Sequence, residues 1–593
     1  MSAYAELSVQ ARRLRVAVAG DTVAIGALAF LGALMLAFTW NRWGNVDNDT
    51  GYDTLAGIRV AHGQLPYVDY IYYYGPLAPL ALGLFALVGG DGMMPALVFG
   101  LLVACGILAA TYALARTRLE PLGAFLATAL VLPVAFSSNQ FSYVDPHTHS
   151  ATLAVLLALL FLLCMNRFAT TEARRWLGAA GLCAGLTALT RPEFAAAVLL
   201  GAIAWLWVRR RSGVARRREA LVFAVPAFAI PVAVYGAFLT AVSAHRLILE
   251  NLYPQEFYRA AASTMLKARL PLTTSSFLQL GAKLVLYTAA FGGALLLVRA
   301  VERRPRLHQP ALVTGGIGAV LVAVASIANT GALRHGLQYA YGWIPAGAAV
   351  AAVLLVRRAW RTRDGAPETQ LELGTTVVLA VVAAATYAAF YIHNFFPQMA
   401  VYALPLAAVF LASIHLRQLA TSRGTALLGV AWLTFLATAG IGLALKDSRV
   451  ESATVHGPGG TIAAKPEQAA VYRQALAWIE RSTPPHGRIL LAPQLTWLYA
   501  ISERRNPLPE LSLLPGTLTP AGERAAIHRL AGARVPLIVT ERRTFTGYGH
   551  TYFGGSFDRD LAAWIRSNYR HAASLGSAGP TNNAVDIWLR RST

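Results

Sequence analysis

Long apolar runs of 15–23 residues recur from residue 22 to residue 445, most of them enough to cross a hydrocarbon core of about 30 Å. They predict spanning helices near 22–41, 94–115, 121–137, 149–165, 176–190, 192–208 and 220–242. Further runs lie near 277–298, 311–328, 336–356, 374–391, 397–416 and 425–445. One further run, "PLAPLALGLFALVGG" at 76–90, is about 15 residues long, and counting it as a crossing would put several arginine-rich loops outside, so it reads as a helix lying in the membrane interface. The first run is too long for the core of a cleavable leader, and no small-residue cleavage pattern follows it, so it reads as a retained first span.

The polar segments between the runs alternate in character. Arginines cluster at 12–15, 116–118, 167–175, 209–218 ("RRRSGVARRR"), 299–306 ("RAVERRPR"), 357–363 ("RRAWRTR") and 417–423. Basic loops stay on the cytoplasmic side, so the N-terminus is expected inside and the intervening loops outside. An odd number of crossings then puts the C-terminus outside. After residue 446 the pattern changes to short helix-like and strand-like segments: "EQAAVYRQALAWIERS", "RILLAPQ", "PLIVTE", "DRDLAAWIRSNYR" and "AVDIWLR". That alternation predicts a small α/β domain outside the membrane, so the chain divides into 1–445 and 446–593.

Composition agrees with this picture. The chain has 593 residues, 56% hydrophobic and 13% charged, where a soluble protein carries about a quarter charged. The net charge of +22 is accounted for by the arginine loops, and no nucleic-acid-binding signature accompanies it. Cys105, Cys164 and Cys183 fall inside predicted spans, with no metal or disulfide spacing, and read as packing residues.

Chemistry-bearing residues concentrate in the expected outer loops. The first, residues 42–93, contains "VDNDTGYDTLAGIRVAHGQLPYVDYIYYYGPL" (46–77), with four aspartates and six tyrosines. Asp53 reads as a capping or surface acid of a short helix ending at Gly63. About half of the tyrosines read as interface anchors. The second outer loop holds "DPHTH": Asp145, His147 and His149, a spacing that suits a divalent ion if the segment is extended. Loop histidines with no metal are the plainer alternative. Cations for an anionic group are Arg259, Lys267 and Arg269 in the long loop 244–276, and Arg334 with His335 in "NTGALRHG" (329–336). Arg191 and Glu193 are expected to pair at their own turn.

The ordered set Asp49-Thr50-Gly51-Tyr52, Gly63-Gln64-Leu65-Pro66-Tyr67-Val68-Asp69 and Gly75-Pro76-Leu77 resembles the first outer loop of GT-C membrane glycosyltransferases. The pattern is similar to the protein mannosyltransferase and aminoarabinose transferase-like branch, and "GLCAGLTALTRPEF" (181–194) adds to it. Many relatives carry Glu where this chain has Thr50, so a carboxylate pair is missing there.

The resemblance implies a GT-C fold: a polytopic α-helical membrane protein with about 13 transmembrane helices and a small extracytoplasmic α/β domain. It implies an integral cell-membrane glycosyltransferase that inverts at the sugar, moving it from a polyprenyl-phosphate carrier to an extracytoplasmic cell-envelope glycan, lipid or protein. Asp49, with Asp47 as the alternative, is expected as general base. Tyr52, Tyr67, Asp69, Arg259, Lys267, Arg334 and His335 are expected to bind substrate. Asp145, His147 and His149 are the candidate ligands of a divalent Mg or Mn, and no other cofactor is expected. A polytopic transporter or lipid-linked-sugar flippase is the competing class. It would place ionisable groups at mid-span, whereas here the acids gather in loops.

Overall fold

The computed structural model describes residues 2–43, 51–137, 142–211, 213, 217–259, 274–328, 330–362, 367–388, 400–577 and 584–591. Over the described residues, each predicted spanning run falls on helix. The first half of the membrane body is α1 (Ser2–Thr39), α4 (Met94–Arg116), α5 (Pro121–Ala129), α6 (Leu132–Ala135), α7 (His149–Thr171), α8 (Arg174–Ala188), α9 (Pro192–Arg211) and α10 (Arg217–Ala241). The second half is α11 (Thr274–Glu302), α12 (His308–Ala328), α13 (Thr330–Thr362), α14 (Pro367–Ala388), α15 (Ala400–Ser413) and α16 (Arg423–Asp447). Among the described residues, seven helices are by themselves long and apolar enough to cross a membrane.

Two runs depart from simple spans. The run at 121–137 is broken into α5 and α6 by a turn at Leu130–Val131, just before Pro133. Proline has no N–H for the helical ladder and is accommodated where a helix starts, so it begins α6 rather than continuing α5. The run at 397–416 carries Pro405 inside α15 and passes into a π-helical turn over Ile414–Gln418.

The buried core joins α4, α5, α7, α15 and α16, with Ile107, Leu130, Leu159, Val409 and Leu433 all shielded from solvent. The outward faces of α10 and α11 remain apolar and exposed, as at Val232, Leu278 and Leu296. An apolar exterior is what a hydrocarbon solvent selects.

Two helices precede α4. These are α2 (Tyr52–Ala61) and α3 (Leu77–Gly89). The 13 residues of α3 would extend about 20 Å at 1.5 Å each, short of a crossing. Ala78, Leu82 and Ala86 turn inward while Leu84, Leu87 and Val88 are exposed, so one face packs on protein and the other is left for lipid.

Beyond α16 the chain forms a hairpin, β1 (Ala453–Gly457) with β2 (Gly460–Ala464), and then a four-stranded mixed sheet. Its strands are β3 (Leu490–Ala492), β4 (Leu537–Glu541), β5 (Tyr569–Leu575) and β6 (Val585–Arg590), in the order β3-β4-β6-β5. Only β3 and β4 are parallel. The helices of this region are α17 (Pro466–Ser482), α18 (Thr496–Ser502), α19 (Pro520–Gly532) and α20 (Arg559–Asn568). β1, β2 and β5 had no counterpart among the sequence expectations. "DRDLAAWIRSNYR" in fact ends its helix at Asn568, and Tyr569 opens β5.

The first loop and this last region share one apolar core. Tyr67, Tyr70 and Tyr72 are fully buried in the same cluster as Tyr472, Trp497, Leu498 and Val539. The backbone closes the junction: Ile71 N–H donates to Pro509 O at 2.9 Å.

Candidate active site

Local geometry sets the start of α2. Gly51 stands before it at φ 91°, a left-handed conformation that side-chain-bearing residues resist. A Cβ there would lie 2.4 Å from the Trp497 backbone, so the turn carries glycine for space as well as for angle. Gly75 is used similarly: its N–H donates to Thr190 O at 2.8 Å, and a Cβ would meet Leu189 O at 2.2 Å.

From that start α2 delivers Asp53 to the N-terminus of α7. Tyr72 Oη–H donates to Asp53 Oδ1 at 2.7 Å. The His149 backbone N–H donates to Oδ2 at 2.6 Å, and the Thr148 hydroxyl donates to the same oxygen at 3.1 Å. The His149 ring Nδ1 lies 3.6 Å from Oδ2. Burial pushes the Asp53 carboxyl up, but His149 and the Tyr72 and backbone hydrogen bonds outweigh it and hold the group below its ordinary value. Negative charge at a helix N-terminus is further favoured by the peptide dipoles. Asp53 is therefore a buried tie between α2 and α7, not the surface acid the sequence suggested. The sign was available in the sequence only as Thr148 preceding an apolar run, the position of an N-cap.

Asp145 sits four residues before His149 and is buried. Burial pushes its carboxyl up to about 6, with His149 lowering it and Asp53 raising it further. The expected metal set does not assemble. Among the described residues no three His, Cys, Asp or Glu side chains gather to hold an ion, Asp145, His147 and His149 included. The physical reason is that His149 is the first residue of α7, buried with its ring beside Asp53 and 5.6 Å from the Phe99 ring. An extended segment would have been needed to aim all three together. These residues alone do not fit a divalent ion.

The expected binding residues divide. Tyr52 is half-buried and stacks on Tyr72 and Tyr73, with ring centroids 5.8 and 6.3 Å apart. Tyr67 is fully buried, its hydroxyl donating to Tyr74 O and its ring edge-on to Phe238 at 4.9 Å. Its phenol is spent inside the loop, which removes it as a direct substrate contact. Asp69 accepts the Leu65 N–H at 2.7 Å and closes a turn, so its role is to shape the loop. Tyr70 and Tyr72, like Tyr67, are core residues rather than interface anchors. Arg259 is exposed and pairs with Glu256 at 2.8 Å. Arg191 and Glu193 pair at 2.6 Å, as expected. Arg334 and His335 lie within α13, which begins at Thr330, and not in a loop; their side chains, and Asp47, Asp49, Lys267 and Arg269, lie outside the described residues.

Two residues absent from the sequence expectations hold the assembly together. Asn251 Oδ1 accepts the Tyr72 N–H at 3.0 Å, and its amide donates to Arg246 O at 2.8 Å. Arg59, buried on α2, donates to the carbonyls of Asn506 and Leu508 and lies over the Tyr70 ring. Nothing in their sequence context marks them, because their partners lie far away along the chain.

The chain thus combines a many-helix membrane body, a first loop locked to it through a buried carboxylate, and a small mixed-sheet domain. Residues 74–235, from the end of the tyrosine run into α10, match the family described as dolichyl-phosphate-mannose-protein mannosyltransferase. Among solved structures the chain is similar to the apo oligosaccharyltransferase of Archaeoglobus fulgidus, at 16% identity and TM-score 0.46, covering 87% of this chain and 69% of that one. It is also similar to ArnT from Cupriavidus metallidurans in the apo state, at 14% identity and TM-score 0.41, covering 96% and 98%. The undecaprenyl phosphate-bound ArnT from the same organism gives 13% identity and TM-score 0.41, covering 95% and 98%. No curated protein matches the chain.

Proposed function

We propose that the chain transfers a sugar from a polyprenyl-phosphate carrier to an extracytoplasmic acceptor in a single inverting displacement, with Asp49 as general base. An acceptor hydroxyl attacks the anomeric carbon, the new C–O bond forms as the bond to the carrier phosphate breaks, and the hydroxyl proton passes to the carboxylate. Polyprenyl phosphate leaves with the displaced electron pair. The observation that carries the assignment is the occupation of Asp53: both of its oxygens already accept hydrogen bonds from Tyr72, Thr148 and His149. Of the acids around Gly51, that leaves Asp49 and Asp47 for proton transfer. The family description, which names a lipid-phosphate sugar, supports the donor class.

Charge growing on the leaving phosphate needs cations in place before it forms. Arg259, Lys267, Arg334 and His335 are the residues we assign to it, and Tyr52, half-buried at the start of α2, to the sugar. The test is release of polyprenyl phosphate by the purified protein from lipid-linked sugars of several kinds, with envelope extracts as acceptor. Acceptor-dependent release supports the reading; its absence with every donor, or ATP- or gradient-driven lipid movement in its place, overturns it.

A further inference from the structure

A second site lies on the far face of α2. Leu55, Ile58 and Arg59 of that helix, with His62 and Gln64 after it, wall one side of a cavity of about 500 Å³, and the C-terminal domain walls the other. Pockets of this size hold a small organic ligand or a few sugar units. The lining is dominated by cations: Arg59, Arg488, Arg504, Arg505 and Arg529.

The arginines are of two kinds. Arg59 and Arg504 are buried and donate to backbone carbonyls or to Thr483, so their charge is fixed in place without being neutralised. Arg488, Arg505 and Arg529 are exposed at the cavity. None of the five forms an ion pair with a carboxylate among the described residues. Acids stand around them without pairing to them. Asp91 is held by His62 at 2.8 Å and His486 at 3.7 Å. Glu503 lies on the wall, Glu510 is within electrostatic reach of Arg59 and Arg529, Asp69 of Arg59, and Glu480 of Arg504.

An independent observation sharpens this. Arg488 and Arg505 are bridge partners: Arg505 N–H donates to Gly487 O at 3.0 Å, and Ile489 N–H donates to Arg505 O at 3.2 Å. Like charges opposed across paired backbone destabilise the pairing. Two guanidiniums without carboxylate partners, carried on paired backbone at one cavity, suit an anion with several oxygens.

We propose that this cavity binds an anionic glycan, one carrying carboxylate or phosphate groups, and that it is the docking site of the acceptor. The acceptor role rests on the transfer reaction proposed above; the anion site does not. Walls of low dielectric concentrate the arginine field in the cavity, so binding weakens with salt. Because α2 carries the cavity on one face and Asp53 on another, an acceptor held here lies against the helix that follows Asp49-Thr50-Gly51.

The test is calorimetry on the full-length protein in detergent, without donor. The probes are tetragalacturonate for carboxylate, pyrophosphate for phosphate, and neutral maltotetraose. Tetragalacturonate, pyrophosphate or both are expected to bind in a salt-dependent way while maltotetraose does not, and which of them binds identifies the anionic group. Arg505→Gln with Arg529→Gln, both exposed positions, should weaken that binding at least ten-fold, and Arg570→Gln on β5 should leave it unchanged. No binding of either anion, equal binding of maltotetraose, or an unaltered affinity in the double variant overturns the site. Anion binding in a protein that releases no polyprenyl phosphate sinks the transfer reaction alone.

Discussion

The His149 backbone N–H donates to Asp53 Oδ2 at 2.6 Å, joining the first turn of α7 to a helix ninety-six residues earlier. This one bond explains why α2 behaves as part of the membrane body. The remaining oxygen of Asp53 is taken by Tyr72, whose own hydroxyl lies 3.2 Å from Ser150 Oγ.

Asp53→Asn should therefore be costly. The amide must turn an NH₂ toward donors, leaving at least one buried group unsatisfied, at about 1–3 kcal/mol. Because the folded carboxyl titrates below its ordinary value, its contribution is complete above the unfolded value and is lost as pH falls through the lowered one. Thermal unfolding of both proteins should show a gap at neutral pH that closes only in acid. Equal stability at pH 7 refutes the tie.

Asp145 should behave in the opposite sense. Its carboxyl is raised to about 6, so the folded state favours the protonated form, and stability is lost as pH rises from the unfolded value through about 6. A shift of about two units corresponds to about 3 kcal/mol. Asp145→Asn is thus expected to unfold at higher temperature than wild type above pH 6, and at the same temperature below pH 4. The measurement is a pH series of melting temperatures on the pair.

Gly51→Ala and Gly63→Ala separate backbone strain from crowding. Both glycines have positive φ, 91° and 78°, but a Cβ at Gly63 meets nothing within 4 Å whereas at Gly51 it meets Trp497. Gly63→Ala should cost only the strain of about 1 kcal/mol. Gly51→Ala should in addition push α18 from the loop, speeding hydrogen exchange in α2 and shifting Trp497 fluorescence. Matching exchange in the two variants would falsify the contact.

For the base, Asp49→Asn should lower turnover about 10²–10⁴-fold, about 3–5 kcal/mol of barrier, with donor affinity little changed. Asp47→Asn is the comparison. A normal Asp49→Asn enzyme beside a dead Asp47→Asn enzyme moves the role to Asp47, and two active variants remove the base from this loop.

Orientation is tested by labelling. In a background without the three cysteines, Ser452→Cys should react with a membrane-impermeant thiol reagent in intact cells, and Ser212→Cys should not. The reverse pattern would put the C-terminal domain in the cytoplasm and end the proposal of an extracytoplasmic acceptor.

Sequence by itself determined the elements that depend on solvent. Runs long enough to cross a bilayer became helices, down to the short interfacial α3, because a buried backbone in lipid must satisfy its own hydrogen bonds. The helices α17 and α20 and the strands β3, β4 and β6 also followed from local pattern, as did the Arg191–Glu193 pair two residues apart. Tertiary structure alone decided what the polar side chains do. Asp53 is a structural anion because Tyr72, Thr148 and His149 bring their donors to it, and Tyr67 is a core residue because Phe238 packs on its ring. Asp145, His147 and His149 form no metal-holding group among the described residues, with a helix beginning at the third of them. Arg59 reaches the carbonyls of Asn506 and Leu508, and Trp497 packs against Gly51, each across more than four hundred residues. A periodicity is read from neighbours along the chain, whereas the charge and access of a carboxylate or a guanidinium depend on groups that only folding brings within a few ångströms.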